Sequence, residues 1–200
     1  MLRRAWVVVR RGRVAVPGSV LAVLAVVTAC SGSHATHPVS SGPRTSSITL
    51  PRCANADATA ATRDGLPGIT LACLGKGPDV DVAHLAGPAV VNLWASWCYP
   101  CRQEMPLLGR ESEELGGKVR IVGVDTNDQA AQAIAFAEDT ARAGYEEFSD
   151  PTGRLAVSLH ALGLPFTVAI DRGGSVVWRK AGQLTSADIG QAVRAAQAGG

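Results

Sequence analysis

VVNLWASWCYPCRQEMPLL, residues 90–108, changes its apolar period partway along, and that change decides the fold. Ala89–Ala95 (AVVNLWA) is a nearly unbroken apolar run, as expected of a central strand covered on both faces. From Cys98 the spacing turns helical. Met105, Leu107, Leu108 and Leu115 supply the apolar positions, and Gly116-Gly117 ends the helix.

Working outward, Val119–Val124 (VRIVGV) reads as a second buried strand and Gln129–Ala143 as an Ala-rich helix stopped by Gly144. Gly153–His160 reads as a short helix. Phe166–Ile170 is a strand opening on Pro165, and Asp171-Arg172-Gly173-Gly174 turns it into a partner at Ser175–Lys180. Thr185–Ala196 is a closing helix capped by Thr185 or Ser186. On the N-terminal side, Ile69–Cys73 reads as a short strand and Asp79–Leu85 as a turn or helical turn. The order is strand, helix, strand, helix, then a hairpin and a last helix, which predicts an α/β domain with a mixed central sheet and helices on both faces.

The first 29 residues hold five arginines (Arg3, Arg4, Arg10, Arg11, Arg13) and no acid. Taking those five from 19 leaves 14 Lys and Arg against 17 Asp and Glu, so the rest of the chain has no basic footprint for nucleic acid. Val14–Ala29 is an apolar run broken by Pro17 and Gly18, shorter than the roughly 20 residues a spanning helix wants. It ends in Val27-Thr28-Ala29-Cys30, which resembles the lipobox of bacterial lipoproteins. That resemblance implies a signal peptide over 1–29 and lipidation of Cys30, which would place the chain on the outer face of the membrane. An uncleaved signal anchor is the alternative. Residues 30–47 read as a Ser/Gly/Pro/Thr-rich tether, and 48–200 as the folded domain. His34 and His37 lie in that tether without further ligands for a metal.

Cys98 falls at a helix N-terminus, where unpaired N–H groups and the helix dipole favour a thiolate. Cys101 lies one turn on, placed to resolve a mixed disulfide. Such a Cys-x-x-Cys beside a βαβ pattern points to a thioredoxin-like redox site. Half of a zinc site is the competing reading, but Cys53 and Cys73 match no zinc module, and neither metal nor cofactor is expected. Cys53 and Cys73 read as a structural disulfide in an oxidising compartment, with a second redox pair as the rival.

The motif stretch, continued through VRIVGVDTND and GLPFTVAIDRGGSVV, resembles the TlpA/ResA family of membrane-tethered thioredoxin-fold thiol–disulfide oxidoreductases over about Leu66 to Ala196. The resemblance implies a thioredoxin-like fold, Trp97 before the nucleophile, and a cis Pro165 that with Leu164 helps bind the substrate chain. It also implies a tuning role for Glu104, three residues after Cys101. A first-turn acid that merely complements the helix dipole is the plainer reading of Glu104. Asn92 stands where thioredoxin has a buried aspartate, which leaves Glu104 as the stronger proton acceptor. Trp94 and Trp178 are expected to pack, His84 and His160 to be ordinary histidines, and Asp125 to lie near the active-site edge.

In function, the resemblance implies reduction of apocytochrome c haem-binding cysteines, or of other secreted thiol proteins, with a membrane electron donor of the DsbD/CcdA type. A DsbE-like oxidase or isomerase is a second expectation, and a non-catalytic thioredoxin-fold binding module a third. A peroxiredoxin-like peroxidase sits poorly with the tight Cys-x-x-Cys spacing.

Overall fold

The computed structural model describes residues 50–54, 62–140 and 144–199; the signal peptide, the tether, Cys30, His34 and His37 lie outside the described residues. Strands β1 (Thr70–Cys73), β2 (Val80–Asp81), β3 (Ala89–Trp94), β4 (Arg120–Thr126), β5 (Glu146–Asp150), β6 (Phe166–Ile170) and β7 (Val176–Ala181) form one mixed sheet in the order β2-β1-β5-β4-β3-β6-β7. β3, β4 and β5 run parallel, and antiparallel pairs complete both edges. The helices are α1 (Tyr99–Leu115), α2 (Ala130–Thr140), α3 (Arg154–Ser158) and α4 (Ser186–Ala198).

Successive residues of β3 serve opposite faces. Val91 and Leu93 join Val122, Val124 and Phe148 in the cluster that takes Leu155 and Ala156 of α3. Val90 joins Ile121 and Ala169 against Leu108 of α1 and Ile189 and Val193 of α4. Helices therefore cover both faces, as the central apolar run requires.

α1 ends where Gly116 takes a left-handed conformation (φ 55°) and returns its N–H to Ser112. α4 starts in a capping box: Thr185 accepts from the Asp188 N–H, and the Asp188 side chain accepts from Thr185. The structure corrects the expected element order in one main place, the strand β5 inserted after α2. Its sequence, Glu146-Glu147-Phe148-Ser149-Asp150, shows no apolar alternation, yet four of its five residues are buried. β2 and a 3-10 turn (Val82–His84) occupy the region expected as a turn. β4 runs on past Val124 through the buried Asp125 and Thr126.

Candidate active site

Cys98 is the N-cap of α1, and its sulfur accepts the Cys101 N–H at 3.3 Å. The two sulfurs are bonded, with the Cα atoms 5.3 Å apart. Pro100 occupies the first turn, where a missing N–H costs nothing. Both cysteines are buried in a cluster with Trp94, Ala95 and Met105 of their own segment and Ala133, Phe136 and Ala137 of α2. The segment just before Cys98 is tied to the loop after β4. Asp128 accepts the Ser96 N–H at 2.6 Å, and the Trp97 indole donates to the Asn127 carbonyl at 3.1 Å.

The Leu164–Pro165 peptide is cis, and the Pro165 carbonyl accepts the Gly182 N–H at 2.9 Å. Leu164 packs against the cysteine cluster. Leu164 also joins Trp97, Asn127 and Leu162 in lining a groove of about 190 Å³. Trp97 (62% exposed) and Leu162 (100%) leave the mouth of that groove apolar and open to a passing chain.

Glu104 does not face solvent as a dipole-complementing acid would. It turns inward from α1, is 1% exposed, and accepts from Asn92 Nδ2 at 2.8 Å and from the Leu184 N–H at 2.6 Å. Burial pushes its carboxyl upward; the Leu184 and Asn92 hydrogen bonds oppose that. Asn92 Nδ2 also donates to Thr167 Oγ1 at 3.0 Å.

A buried acid of β5 went unread in the sequence. Glu147 on β5 is fully buried, and its Oε2 accepts the Trp94 indole N–H at 2.8 Å. Burial pushes Glu147 up to about 8; the Trp94 bond lowers it and Asp125 raises it. Trp94 thus packs, as expected, on Phe136 (ring centroids 5.6 Å apart), and also holds a carboxyl. The overlooked signal is Gly123, a glycine inside a β-run, which marks close approach by a neighbour. Asp125 is buried beside Trp94 in the register, and burial, then Asp128 and Asp150, push it up to about 7.

Cys53 and Cys73 are bonded to each other, with Cα atoms 6.0 Å apart. This bridge lies against β5: Cys53 sulfur is 3.4 Å from the Glu147 carbonyl oxygen, and the Leu74 N–H donates to that same oxygen. Trp178 packs half-buried against the α4 side, His84 ends the 3-10 turn, and His160 lies exposed after α3. Among the described residues no group of three or more His, Cys, Asp and Glu is placed to hold a metal ion.

Residues 62–179 match the model of the AhpC/TSA family. The chain is 36% identical over 102 residues to a thiol:disulfide interchange protein DsbE homolog of Paracoccus denitrificans, covering 51% of this chain and 55% of that protein. It is 33% identical over 134 residues to the thiol:disulfide interchange protein HelX of Rhodobacter capsulatus, covering 66% of this chain and 74% of the relative. The chain thus spans little more than half of the Paracoccus protein's length. Among solved structures, the thio-disulfide isomerase of Thermus thermophilus superposes with a TM-score of 0.54 at 28% identity, covering 68% of this chain and 97% of the other. A secreted thiol-disulfide isomerase of Corynebacterium glutamicum gives 0.56 at 25% identity, covering 64% and 82%.

Proposed function

Because this chain belongs to the AhpC/TSA family, we propose that it is an extracytoplasmic thiol–disulfide oxidoreductase working through Cys98 and Cys101. The observation that carries the reading is the position of Cys98: its sulfur caps α1 and accepts the Cys101 N–H, an arrangement that stabilises a thiolate. In the reduced protein the Cys98 thiolate attacks a substrate disulfide and forms a mixed disulfide. Cys101 then attacks the Cys98 sulfur, closing the internal disulfide and releasing the substrate as a dithiol. The groove beside Trp97 and Leu164 receives the substrate chain, Pro165 lines up its backbone, and Glu104 takes the proton that Cys101 must lose.

The substrates in this reading are the haem-binding cysteines of apocytochrome c, with a membrane donor of the DsbD/CcdA type returning electrons to Cys98–Cys101. The protein is held on the outer face of the membrane through a lipidated Cys30, after loss of residues 1–29, with 30–47 as tether. The Cys53–Cys73 bridge is a structural staple. The names of the relatives and the lipobox support this placement. A second reading, an oxidase or isomerase of secreted proteins, is favoured by the isomerase names of the two superposed structures.

A Cys101→Ala variant incubated with an oxidised CxxCH peptide from apocytochrome c should accumulate a mixed disulfide through Cys98, and a Cys98→Ala variant none. Absence of any trapped adduct sinks the exchange reading. The reduction potential of Cys98–Cys101 separates the two physiological directions: a strongly reducing value supports cytochrome maturation, an oxidising one disulfide formation.

A further inference from the structure

Thr167, Asn92, Gly123 and Glu147 stand side by side on β6, β3, β4 and β5, register partners in one row across the sheet. Asn92 reaches Glu104 of α1, so its side of the sheet is the face that α1 covers. Trp94, two residues along β3, points to the same face and holds the Glu147 carboxyl there. Gly123 leaves the space this requires: a Cβ at position 123 would overlap the Glu147 carboxyl, with Oε1 only 2.6 Å away.

Trp94 belongs to the cluster that contains Cys98 and Cys101, so the indole that holds Glu147 is packed into the same core as the disulfide. Groups acting on it come from β3, where Trp94 holds it, and from β4, where Asp125 lies; Tyr145, just before β5, stands between it and Glu104 of α1. The tyrosine registers both glutamates, because Glu147 and then Glu104 add to the burial that raises its hydroxyl. Glu147 Oε1, Asn92 Oδ1 and the Tyr145 hydroxyl are all buried without a hydrogen-bond partner. Unpaired buried polar atoms at this density call for an explanation. An acid kept neutral supplies one, because a carboxylic acid has an O–H to donate and a carboxylate has none.

We propose that Glu147 is a positioning residue of the redox centre, whose carboxyl stays protonated so that the compartment beneath α1 can accept the negative charge of Glu104 or of a cysteine thiolate. This rests on the exchange chemistry proposed above. In the resolving step the Cys101 S–H gives its proton to the Glu104 carboxylate. The Cys101 sulfur bonds to Cys98 Sγ as the Cys98–substrate bond breaks, and the departing substrate thiolate recovers the proton from Glu104. Glu104 must be charged to begin this step. A second carboxylate in the same buried compartment would oppose that charge, and a neutral Glu147 does not. Once Glu147 ionises, near the value of about 8 to which burial pushes it, thiolate formation becomes harder.

The test equilibrates Cys98–Cys101 with glutathione redox buffers from pH 6 to 9.5 in the full chain and in Glu147→Gln, an isosteric change that fixes the neutral state. If Glu147 titrates near 8 in the oxidised form and one pKa unit higher in the reduced form, the ratio of the two equilibrium constants should hold steady below pH 7 and drift about fivefold by pH 9, toward a tenfold limit above it. Parallel profiles across the whole range overturn the proposal. Should Glu147→Gln not fold, Trp94→Phe decides. It removes the N–H that lowers the Glu147 pKa, so the break must move to higher pH, and an unmoved break overturns the proposal. A wild-type pair that never equilibrates with glutathione counts instead against the exchange reading.

Discussion

Alanine in place of Gly123 ought to be mildly favourable by ordinary rules, because replacing glycine where the backbone permits it stabilises by about 0.4–1 kcal/mol. The geometry here predicts the opposite sign. The new Cβ falls on the Glu147 carboxyl, which is not the free end of a surface chain but is fully buried and bonded to Trp94 at 2.8 Å. Either β4 and β5 move apart or the carboxyl leaves the indole. Overpacking of a core costs about 1–3 kcal/mol, and leaving the indole N–H stranded costs about 1–3 kcal/mol instead. By either route a loss of about 1–3 kcal/mol follows, which for a domain of this size lowers Tm by roughly 2–12 °C. Thermal melts of the oxidised protein at pH 6, where Glu147 is protonated, read this directly. Adding Glu147→Ala to Gly123→Ala removes the carboxyl and with it the overlap. The double variant should therefore lose less than the sum of the singles, by about 1–3 kcal/mol. Strict additivity, or a Gly123→Ala melt at or above wild type, would refute the idea that glycine is there to seat the acid.

Replacing Cys53 and Cys73 together by serine opens a loop of sequence separation 20 and should cost about 3 kcal/mol in the chain-entropy model. Urea midpoints measure the cost; an unchanged midpoint, or a shifted Cys98–Cys101 potential, contradicts a purely structural staple. Stability should also fall as pH rises from about 4 to about 8. Asp125 and Glu147 are raised to about 7 and about 8 in the folded protein, so the native state binds more protons than the unfolded chain across that window. Asp188, lowered chiefly by its Thr185 hydrogen bonds, works the other way, but its contribution is lost only as pH drops below the ordinary carboxylate range. Urea midpoints at pH 5, 7 and 9 check this ordering, and a higher midpoint at 9 than at 5 contradicts it.

The parts of the fold that were readable in the sequence are those whose burial is apolar. β3 and the apolar part of β4 announce themselves because Val90, Val91, Leu93, Ile121, Val122 and Val124 are buried hydrocarbons. β5 does not. Glutamate, serine and aspartate are poor strand formers, and Glu147, Ser149 and Asp150 are buried for reasons that lie elsewhere in the chain. Glu147 has the Trp94 indole and the space at Gly123. Asp150 has the backbone N–H groups of Arg154 and Leu155, at 3.0 and 2.8 Å, at the start of α3. Such tertiary pairings leave no period in the sequence. The end of β4 escaped for the same reason, since Asp125 and Thr126 extend the strand without extending its apolar run.

The candidate site divides along the same line. Cys98, Cys101, Glu104 and Pro165 could be picked out because each sits in a local motif, whereas the acid behind them could not. Asn92 links the two halves. An aspartate at that position would put another carboxylate between Glu104 and Glu147, in a row already closed to water. The amide instead donates from one nitrogen to both Glu104 and Thr167. It steadies a charge on Glu104 without adding its own. The capacity to hold a proton thus passes from β3 to the helix above it and the strand beyond it. In the proposed mechanism a carboxyl at the first acts on the cysteines through α1, and one at the second through Trp94.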